Sequence, residues 1–297
     1  MLPKHKRLLL VDGHAFAYRA FHAIRHLSAP DGTPTNAIFG FIKTLGKLQS
    51  QWQPEFFQVA WDGGMAAERL EALPEYKAQR PPMPEPLSRQ MEGIQQWLEA
   101  SGLSSFCQEG VEADDWIATA ARQAVEQGAA VIIASPDKDF MQLVGPQVAL
   151  WNPNDEAETL WTPERVVEKT GVQPAQVVDW LSLIGDSVDN IGGVVGVGPK
   201  TAAKLLQQFG TINAIYEHLN DLNNDTLRAA LRAAEAVVRR NQRLIRLNDR
   251  LPGRVELEAL RPGRRDVRRL RELYARWGFH SLLRELGAGG QAQGELF

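Results

Sequence analysis

The sequence lacks several features that would narrow its class at once. Cys107 is the single cysteine among 297 residues, which excludes an intramolecular disulfide and any zinc site built from several cysteines. Apolar runs are only a few residues long, so no segment is expected to span a bilayer as a helix. The basic start at residues 4–7 precedes an apolar stretch that stops at Asp12, too short for a secretory signal. We therefore expect a cytoplasmic globular protein.

An excess of one charge is also missing overall, since 33 basic and 36 acidic residues leave a net charge of −3. The distribution is uneven: residues 227–285 hold 16 arginines and 7 acidic residues, whereas residues 1–226 hold 17 basic and 28 acidic ones. A basic C-terminal quarter suggests a polyanion as partner. The acidic remainder is compatible with that partner if its acids gather at a site that cations neutralise.

Three short apolar segments predict buried β-strands, at residues 8–11, 56–61 and 129–134. Helical patterns separate them, at residues 37–49, 88–100 and 113–127. This alternation predicts an α/β domain with a parallel sheet. Ligands of such sheets bind beyond the carboxyl ends of the strands, and each predicted strand is followed by an aspartate.

The rest of the chain departs from this alternation. Residues 65–90 carry five prolines, which preclude a continuous helix and predict a mobile insertion over the sheet edge. We expect an α/β domain over residues 1–190 with the insertion at about 65–95, then a mostly helical subdomain over 191–287. Residues 288–297 are expected to form a flexible tail.

Nine acids stand out in these segments: Asp12, Asp62, Glu112, Asp114, Asp115, Asp137, Asp139, Asp186 and Asp189. Each alone has an ordinary explanation, because acids after strands and at helix starts usually serve as turn or cap residues. Convergence on one edge would make them repel and raise their pKa values. Mg²⁺ or Mn²⁺ would relieve that repulsion, and eight or nine carboxylates predict two ions.

The glycine-rich stretch at residues 193–201 looks like a nucleotide loop but fits neither known pattern. A Walker A loop places lysine directly after its last glycine, whereas Pro199 separates Gly198 from Lys200. A Rossmann fingerprint follows a strand, and none is predicted here. A nucleotide-dependent oxidoreductase or ATPase is therefore disfavoured.

Four motifs together resemble the 5′-nuclease family, which includes the 5′→3′ exonuclease domain of bacterial DNA polymerase I, phage 5′-nucleases and flap endonucleases. They are residues 9–19, 112–115, 137–139 and 185–190, and the resemblance runs from about residue 7 to 287. It implies a PIN-like or Rossmann-like sheet with helices on both faces and a helical arch made by the insertion. It also implies a helix–hairpin–helix-type motif at residues 192–210 of the C-terminal subdomain.

The resemblance implies a metal-dependent 5′→3′ exonuclease or flap endonuclease that cuts DNA at 5′ flaps, nicks or 5′ ends in replication and repair. Asp12, Asp62, Glu112 and Asp114 match the family's first metal site. Asp137, Asp139, Asp186 and Asp189 match the second, with Asp115 nearby and with Asp114 and Asp139 expected to be catalytic. The alternative is a junction-binding module without cleavage, which should lack acids, and none is missing.

Contacts with nucleic acid follow from the same resemblance. Lys77 is expected to assist at the scissile phosphate and Arg80 to guide the 5′ strand, with Arg69 and Tyr76 touching the same strand. The helix–hairpin–helix-type turn is expected to hold a phosphate through Gly196, Gly198, Lys200, Thr201 and Lys204. The family's turn also binds K⁺ through main-chain carbonyls, here those of Leu183, Ile184, Gly192, Val194 and Val197, although relatives commonly carry proline at the Gly192 position.

Two C-terminal features complete the expectations. Arg239, Arg240, Arg243 and Arg246 recur at helical spacing, which fits either a stripe along duplex phosphates or a solvated helix face. The last five residues resemble the bacterial sliding-clamp-binding peptide, which implies clamp contacts by Gln293, Leu296 and Phe297. We expect a monomer with no membrane partner.

Overall fold

The computed structural model describes residues 6–155, 157 and 159–292, with side chains up to residue 287. Its centre is a six-stranded sheet with the strand order β3-β2-β1-β4-β5-β6. The strands are β1 (Arg7–Asp12), β2 (Phe56–Ala60), β3 (Ser104–Phe106), β4 (Ala130–Ala134), β5 (Val148–Trp151) and β6 (Leu160–Trp161). All neighbours pair in parallel except β6, which runs antiparallel to β5. The predicted parallel sheet is confirmed.

Twelve α-helices and a two-stranded hairpin lie in the described part of the chain. The helices are α1 (Gly13–Ala23), α2 (Asn36–Trp52), α3 (Ala67–Ala72), α4 (Glu85–Ala100), α5 (Ala113–Glu126), α6 (Pro163–Thr170), α7 (Val177–Ile184), α8 (Pro199–Phe209), α9 (Ile212–Glu217), α10 (Asp225–Ile245), α11 (Val267–Trp277) and α12 (His280–Ala292). The hairpin joins β7 (Gly185–Asp186) to β8 (Ile191–Gly192). Short 3₁₀ helices include Lys138–Leu143. Within these bounds no helix is both long and apolar enough to cross a membrane.

The side-chain alternation of β1 explains the two hydrophobic cores. Leu8 and Leu10 pack on one face of the sheet with α5, α7, α8 and α10, while Leu9 and Val11 pack on the other with α1, α2, α4 and α11. Each of the four side chains is fully buried, which stabilises the fold by about 1.5–3 kcal/mol per residue. The predicted helices on both faces are therefore confirmed. The basic C-terminal quarter is divided, because α10 and α11 lie on opposite faces.

The sequence pattern located the buried strands better than the exposed ones. The strands predicted at 56–61 and 129–134 are observed at Phe56–Ala60 and Ala130–Ala134. Strand β3 went unpredicted because Ser104 and Ser105 make it a short polar edge. Strands β5 and β6 were missed as well, since each offers only a few residues.

The proline-rich insertion is short of regular structure but docked. Helix α3 occupies its start, turns cover residues 74–79, and α4 begins after Pro84. The Lys77 N–H donates to the Asp189 carbonyl at 3.1 Å, which fixes the insertion against the β7–β8 hairpin. At the other end of the chain, residues 288–292, which we had assigned to the flexible tail, form the last part of α12.

Candidate active site

The first acids of the site stand where the central strands end. Asp12 is the last residue of β1 and caps α1, because it accepts the Ala15 N–H at 3.0 Å. Its other oxygen accepts the Ser135 hydroxyl at 2.9 Å, and Ser135 in turn accepts the Asp137 N–H at 3.1 Å. Since β1 and β4 are parallel neighbours, their carboxyl ends bring Asp12 and Asp137 to one edge of the sheet.

A second group comes from the loop after β2 and the start of α5. Asp62 accepts the Ala113 N–H at 2.9 Å, which draws the start of α5 to the end of β2. The backbones pack tightly here, since a Cβ on Gly63 would lie 1.7 Å from the Gln108 carbonyl oxygen. This contact fixes the loop that carries Asp62.

The remaining acids lie on the 3₁₀ helix after β4 and on the β7–β8 hairpin. Asp137 caps that 3₁₀ helix by accepting the Asp139 N–H at 2.9 Å. One carboxylate oxygen from each of Asp139, Asp186 and Asp189 lies within 4.8 Å of the other two. Asp139 Oδ1 is buried and has no hydrogen-bond partner in the described part of the chain. Three gathered carboxylate oxygens suit a hard cation, and the unpaired Asp139 Oδ1 could take a ligand as well.

Basic side chains of the insertion reach down onto these acids. Lys77 Nζ lies 2.5 Å from Glu112 Oε2, and Arg80 Nη2 lies 2.5 Å from Asp189 Oδ1. The Tyr76 hydroxyl is 3.3 Å from both of these carboxylates. Tyr76 is only 4% exposed, so our prediction that it touches the DNA strand does not agree with its place below the surface.

These groups surround one pocket of about 680 Å³, a size typical of ligand sites. Six of the nine acids line it: Asp12, Asp62, Asp114, Asp137, Asp186 and Asp189. Lys77 and Arg80 line it as well. Asp139 joins it through its contact with Asp186 and Asp189, and the buried Glu112 through Lys77. The structure thus brings eight of the nine predicted acids to one place.

Burial and mutual repulsion raise the pKa of four clustered carboxyls, namely Asp12, Asp114, Asp137 and Asp139. Burial is the largest cause for each. The pKa of Asp12 rises to about 6, with the charges of Asp62 and Asp137 adding to burial and the Ala15 N–H opposing it. Such groups hold their charge at a free-energy cost that a bound cation removes.

Two acids of the site have their pKa values lowered. Burial acts to raise the pKa of Asp62, but the His14 contact and the Ala113 N–H outweigh it. Burial likewise opposes ionisation of Glu112, and the charges of Lys77 and Arg69 reverse the effect on its pKa. These two carboxylates are therefore held charged by the protein itself.

Arg69 and Asp115 require a correction. We predicted a metal-site role for Asp115 and a DNA contact for Arg69, but the two bind each other beside Glu112, and neither lines the pocket. Arg69 Nη1 and Nη2 donate to the two Asp115 oxygens at 2.7 and 2.8 Å, and the residues are 6% and 4% exposed. A fork-shaped pair of this kind satisfies both groups. Both Asp115 oxygens accept from Arg69, and Arg69 is buried rather than at the surface, where our prediction placed a DNA strand.

The C-terminal helical subdomain presents its predicted DNA-contact residues at the surface. Helix α8 begins after Gly198, and Lys200 and Lys204 are exposed on it, with Gly196 exposed and Thr201 half-buried. The five carbonyls proposed for K⁺, those of Leu183, Ile184, Gly192, Val194 and Val197, lie around the β7–β8 hairpin and its return to α8. Val195, at the tip of this turn, is 87% exposed.

The predicted arginine stripe divides into two kinds of residue. Arg243 and Arg246 are exposed, as phosphate contacts require. Arg239 lies over the Tyr216 ring at 5.2 Å, and Arg240 contacts the Asn241 side chain at 3.3 Å. The structure thus leaves two of the four free to meet a polyanion. The clamp residues Gln293, Leu296 and Phe297 lie outside the described residues.

Sequence reasoning missed three polar residues of the site. His14 Nδ1 lies 3.3 Å from Asp62 Oδ2, Lys138 Nζ lies 3.1 Å from Asp186 Oδ2, and Ser135 bridges Asp12 and Asp137. His14 and Lys138 stood inside the quoted motifs without a role. Their position between the acids was the available signal, and a cation such as Lys138 beside clustered carboxylates relieves repulsion.

Comparison with known proteins agrees with this geometry. Residues 7–171 match the family model described as the 5′-3′ exonuclease N-terminal resolvase-like domain, and residues 172–268 match the 5′-3′ exonuclease C-terminal SAM fold. A 5′-3′ exonuclease of Aquifex aeolicus is 37% identical over 95% of each chain. DNA polymerase I of Bacillus caldotenax is 35% identical over 95% of this chain but only 32% of its own length.

Solved structures show the same fold. The T5 5′-exonuclease with bound zinc ions superposes with a TM-score of 0.68 at 26% identity, covering 82% of this chain and 90% of that one. The catalytic core of Rad2 in complex with a DNA substrate gives a TM-score of 0.61 at 17% identity, covering 95% and 90%. The second likeness is one of fold alone.

Proposed function

Because the chain belongs to the 5′-3′ exonuclease family, we propose that it is a structure-specific 5′-nuclease that hydrolyses DNA at 5′ flaps, nicks or 5′ ends. One observation carries the proposal: eight carboxylates from distant parts of the sequence meet at a single pocket, with Lys77 and Arg80 on its lining. Removal of primers and flaps in replication and repair is the corresponding role.

The donor set fits divalent cations. It consists of carboxylate oxygens, the ligands that Mg²⁺ and Mn²⁺ prefer, and it includes the unpaired Asp139 Oδ1. We assign one ion to Asp12, Asp62, Glu112 and Asp114 and a second to Asp137, Asp139, Asp186 and Asp189. A pair of such ions stabilises the attacking and leaving oxygens of phosphoryl transfer and lowers the pKa of water.

The residues of the chain bind and orient the phosphate. Lys77 and Arg80 stand over the acids, and each carries a charge that a scissile phosphate attracts. Cations on these acids would weaken their hold on Lys77 and Arg80, and both side chains would then be available to the phosphate. Asp114 and Asp139, whose pKa values are raised, would be among the residues that hold the cations.

We propose that duplex DNA lies along the C-terminal helical subdomain. The N–H groups at the start of α8, with Gly196, Gly198, Lys200, Thr201 and Lys204, would hold a phosphate without reading sequence. The exposed Arg243 and Arg246 extend this basic surface. A K⁺ ion at the carbonyls around the β7–β8 hairpin is part of the same proposal. So is the boundary between the α/β domain, which ends at residue 190, and the helical subdomain, which begins at residue 191.

The alternative is a module that binds DNA junctions without cutting them. Loss of acids from the pocket would favour it, and the pocket keeps them. A labelled 5′-flap cleavage assay with Mg²⁺, Mn²⁺ or EDTA, run beside Asp139→Ala, separates the two. Cleavage that needs the metal and Asp139 supports the nuclease; intact DNA in every metal overturns it.

Three finer features belong to this proposal. We propose that the protein acts as a monomer in the cytoplasm, where its DNA substrate lies, and that Gln293, Leu296 and Phe297 bind a sliding clamp. Attachment to a clamp would raise the enzyme's effective concentration at DNA. Deleting residues 293–297 should abolish clamp pull-down and leave cleavage of free DNA intact; retained pull-down would overturn it.

A further inference from the structure

Residues 241–248, which we call the α10 turn, comprise the end of α10 and the three residues after it. None of the nine acids lies in this turn, yet side-chain hydrogen bonds connect it to all three segments that carry acids at residues 112–115, 137–139 and 186–189. These bonds go to main-chain atoms of the turn or leave from its side chains. Each of the three connections is made by a different side chain.

Arg69 makes the first connection, to the segment that carries Glu112 and Asp115. Its Nε donates to the Leu244 carbonyl at 3.0 Å, while Nη1 lies 3.0 Å from Glu112 Oε1. The same guanidinium holds both Asp115 oxygens, and Asp115 Oδ1 also accepts the Asn248 N–H at 2.8 Å. The start of α5 is thereby tied to both ends of Leu244–Asn248.

Gln142 makes the second connection, to the segment that carries Asp139. Its Nε2 donates to the Asp139 carbonyl at 2.9 Å and to the Ile245 carbonyl at 3.0 Å. Its Oε1 accepts the Leu247 N–H at 3.0 Å. One amide therefore joins the backbone of the 3₁₀ helix to two residues of the turn.

Asn241 makes the third connection, to the hairpin that carries Asp186. It is fully buried, and its Nδ2 donates to the Ser182 carbonyl at 3.1 Å and the Gly192 carbonyl at 2.7 Å. Gly192 pairs with Gly185 in the β7–β8 hairpin, next to Asp186. This bond sets the distance between the hairpin and α10.

We propose that the α10 turn is a positioning element that holds the three acid-bearing segments at the spacing their cations require, through Arg69, Gln142 and Asn241. The proposal rests on the proposed function, since it assigns divalent cations to the acids. Metal ligands depend on the groups that orient them, and loss of such a group weakens metal binding tenfold or more in known sites. The three residues act through the carboxylates and touch no substrate.

Two side chains of α5 are matched controls, because they bind the backbone of residues 249–255, directly after the α10 turn. Gln123 binds the Gly253 carbonyl at 3.0 Å and the Val255 N–H at 2.8 Å, just as Gln142 bridges the α10 turn. Arg122 Nε donates to the Asp249 carbonyl at 2.8 Å, as Arg69 Nε does to Leu244. Neither control side chain contacts an acid of the pocket.

The first experiment compares Gln142→Met with Gln123→Met by calorimetric titration of Mn²⁺ into the protein without DNA. We expect Gln142→Met to bind Mn²⁺ at least fivefold more weakly and Gln123→Met to stay within twofold of the parent. Thermal melts check that both variants fold. Equal Mn²⁺ affinities in Gln142→Met and the parent would overturn the proposal.

The second experiment compares Arg69→Lys with Arg122→Lys and keeps the test decisive if Gln142→Met does not fold. Lysine retains the charge beside Asp115 but lacks the planar fork whose three nitrogens meet its two oxygens and the Leu244 carbonyl. We expect weaker Mn²⁺ binding and a lower kcat on flap DNA at limiting Mn²⁺, with KM for DNA unchanged, in Arg69→Lys only. An unchanged Mn²⁺ affinity in Arg69→Lys would contradict the positioning role.

These readouts separate the inference from the proposed function. If the parent cleaves flaps and the variants bind Mn²⁺ as well as the parent does, the nuclease function stands and the positioning role of the α10 turn is overturned. If the parent binds Mn²⁺ but does not cleave DNA, and the variants bind Mn²⁺ more weakly, the positioning role stands and the nuclease function is overturned. A parent that binds no Mn²⁺ overturns both.

Discussion

Lys77 and Glu112 form a buried ion pair: Nζ lies 2.5 Å from Oε2, and the side chains are 8% and 2% exposed. The same pairing recurs between Arg80 and Asp189 at the pocket. The acids that we assign to metal ions are therefore partly neutralised by the residues that we assign to the substrate phosphate. Cation binding at Glu112 would remove the partner of the buried Lys77, and an arriving phosphate would then offer Lys77 a new one.

Replacement of Lys77 tests its role at the phosphate. Lys77→Met should lower the single-turnover rate of flap cleavage by about 10²–10³-fold, the usual cost of losing one preorganised charge-stabilising group. DNA affinity should change little, because the duplex contacts that we propose lie on α8 and α10. The control is Lys43→Met, whose partner Glu285 lies at the surface. A single-turnover rate equal to that of the parent would remove Lys77 from the reaction.

Asp139→Asn should separate stability from activity. The substitution removes one charge from a repelling cluster, so we expect metal-free protein to gain about 1 kcal/mol, or roughly 2–4 °C in Tm. Cleavage should fall to background in the same variant. Asp221→Asn, which alters a surface acid beside His218, should change neither. A lower Tm for metal-free Asp139→Asn would show that repulsion does not dominate at this position.

The Arg69–Asp115 pair should be costly to break. Arg69→Met leaves Asp115 buried without its partner, and the expected loss of unfolding free energy is about 3–5 kcal/mol. Arg89→Met removes an exposed pair with Glu85 and should cost about 0–1 kcal/mol. Urea denaturation measures both, and equal losses would contradict the burial argument.

Metal-free protein should lose stability as the pH rises from 5 to 7. Raised pKa values, including that of Asp12 at about 6, mean that the folded state binds more protons than the unfolded state in this window. The free energy of unfolding therefore decreases with rising pH, by about 1–3 kcal/mol. Saturating Mg²⁺ should flatten the dependence, because the ions replace the protons. Urea denaturation in EDTA at both pH values provides the check, and a flat EDTA profile would argue against the shifts.

Gly63 should tolerate no side chain. A Cβ there would lie 1.7 Å from the Gln108 carbonyl oxygen, so Gly63→Ala must move the loop that carries Asp62 and should cost about 1–3 kcal/mol or more. Gly46→Ala, on the open face of α2, should instead stabilise by up to about 1 kcal/mol. Thermal melts give both signs, and a neutral Gly63→Ala would mean that the loop relaxes freely.

The sheet and the acids at its edge could be predicted from the sequence for one physical reason. Buried parallel strands appear as short apolar runs, and their carboxyl ends share one edge, so Asp12 and Asp137 had to lie near each other. The short polar strand β3 gave no such signal.

The sequence could not predict that Asp114 lines the pocket whereas Asp115 pairs with Arg69. Successive residues on a helix point about 100° apart, so only one of the two can face the pocket. Which one does so depends on Arg69, 46 positions earlier, and on the Asn248 N–H far later in the chain. Contacts of this range follow from the complete fold and leave no local pattern.

The dependence of the acid segments on residues 241–248 has a consequence for synthesis. A nascent chain that has emerged only to residue 240 already contains all nine acids but not the Leu244 and Ile245 carbonyls or the Asn241 amide that meet them. We expect such a chain to be harmless to DNA. The nuclease would become competent only late in translation, when α10 closes against the segments made before it.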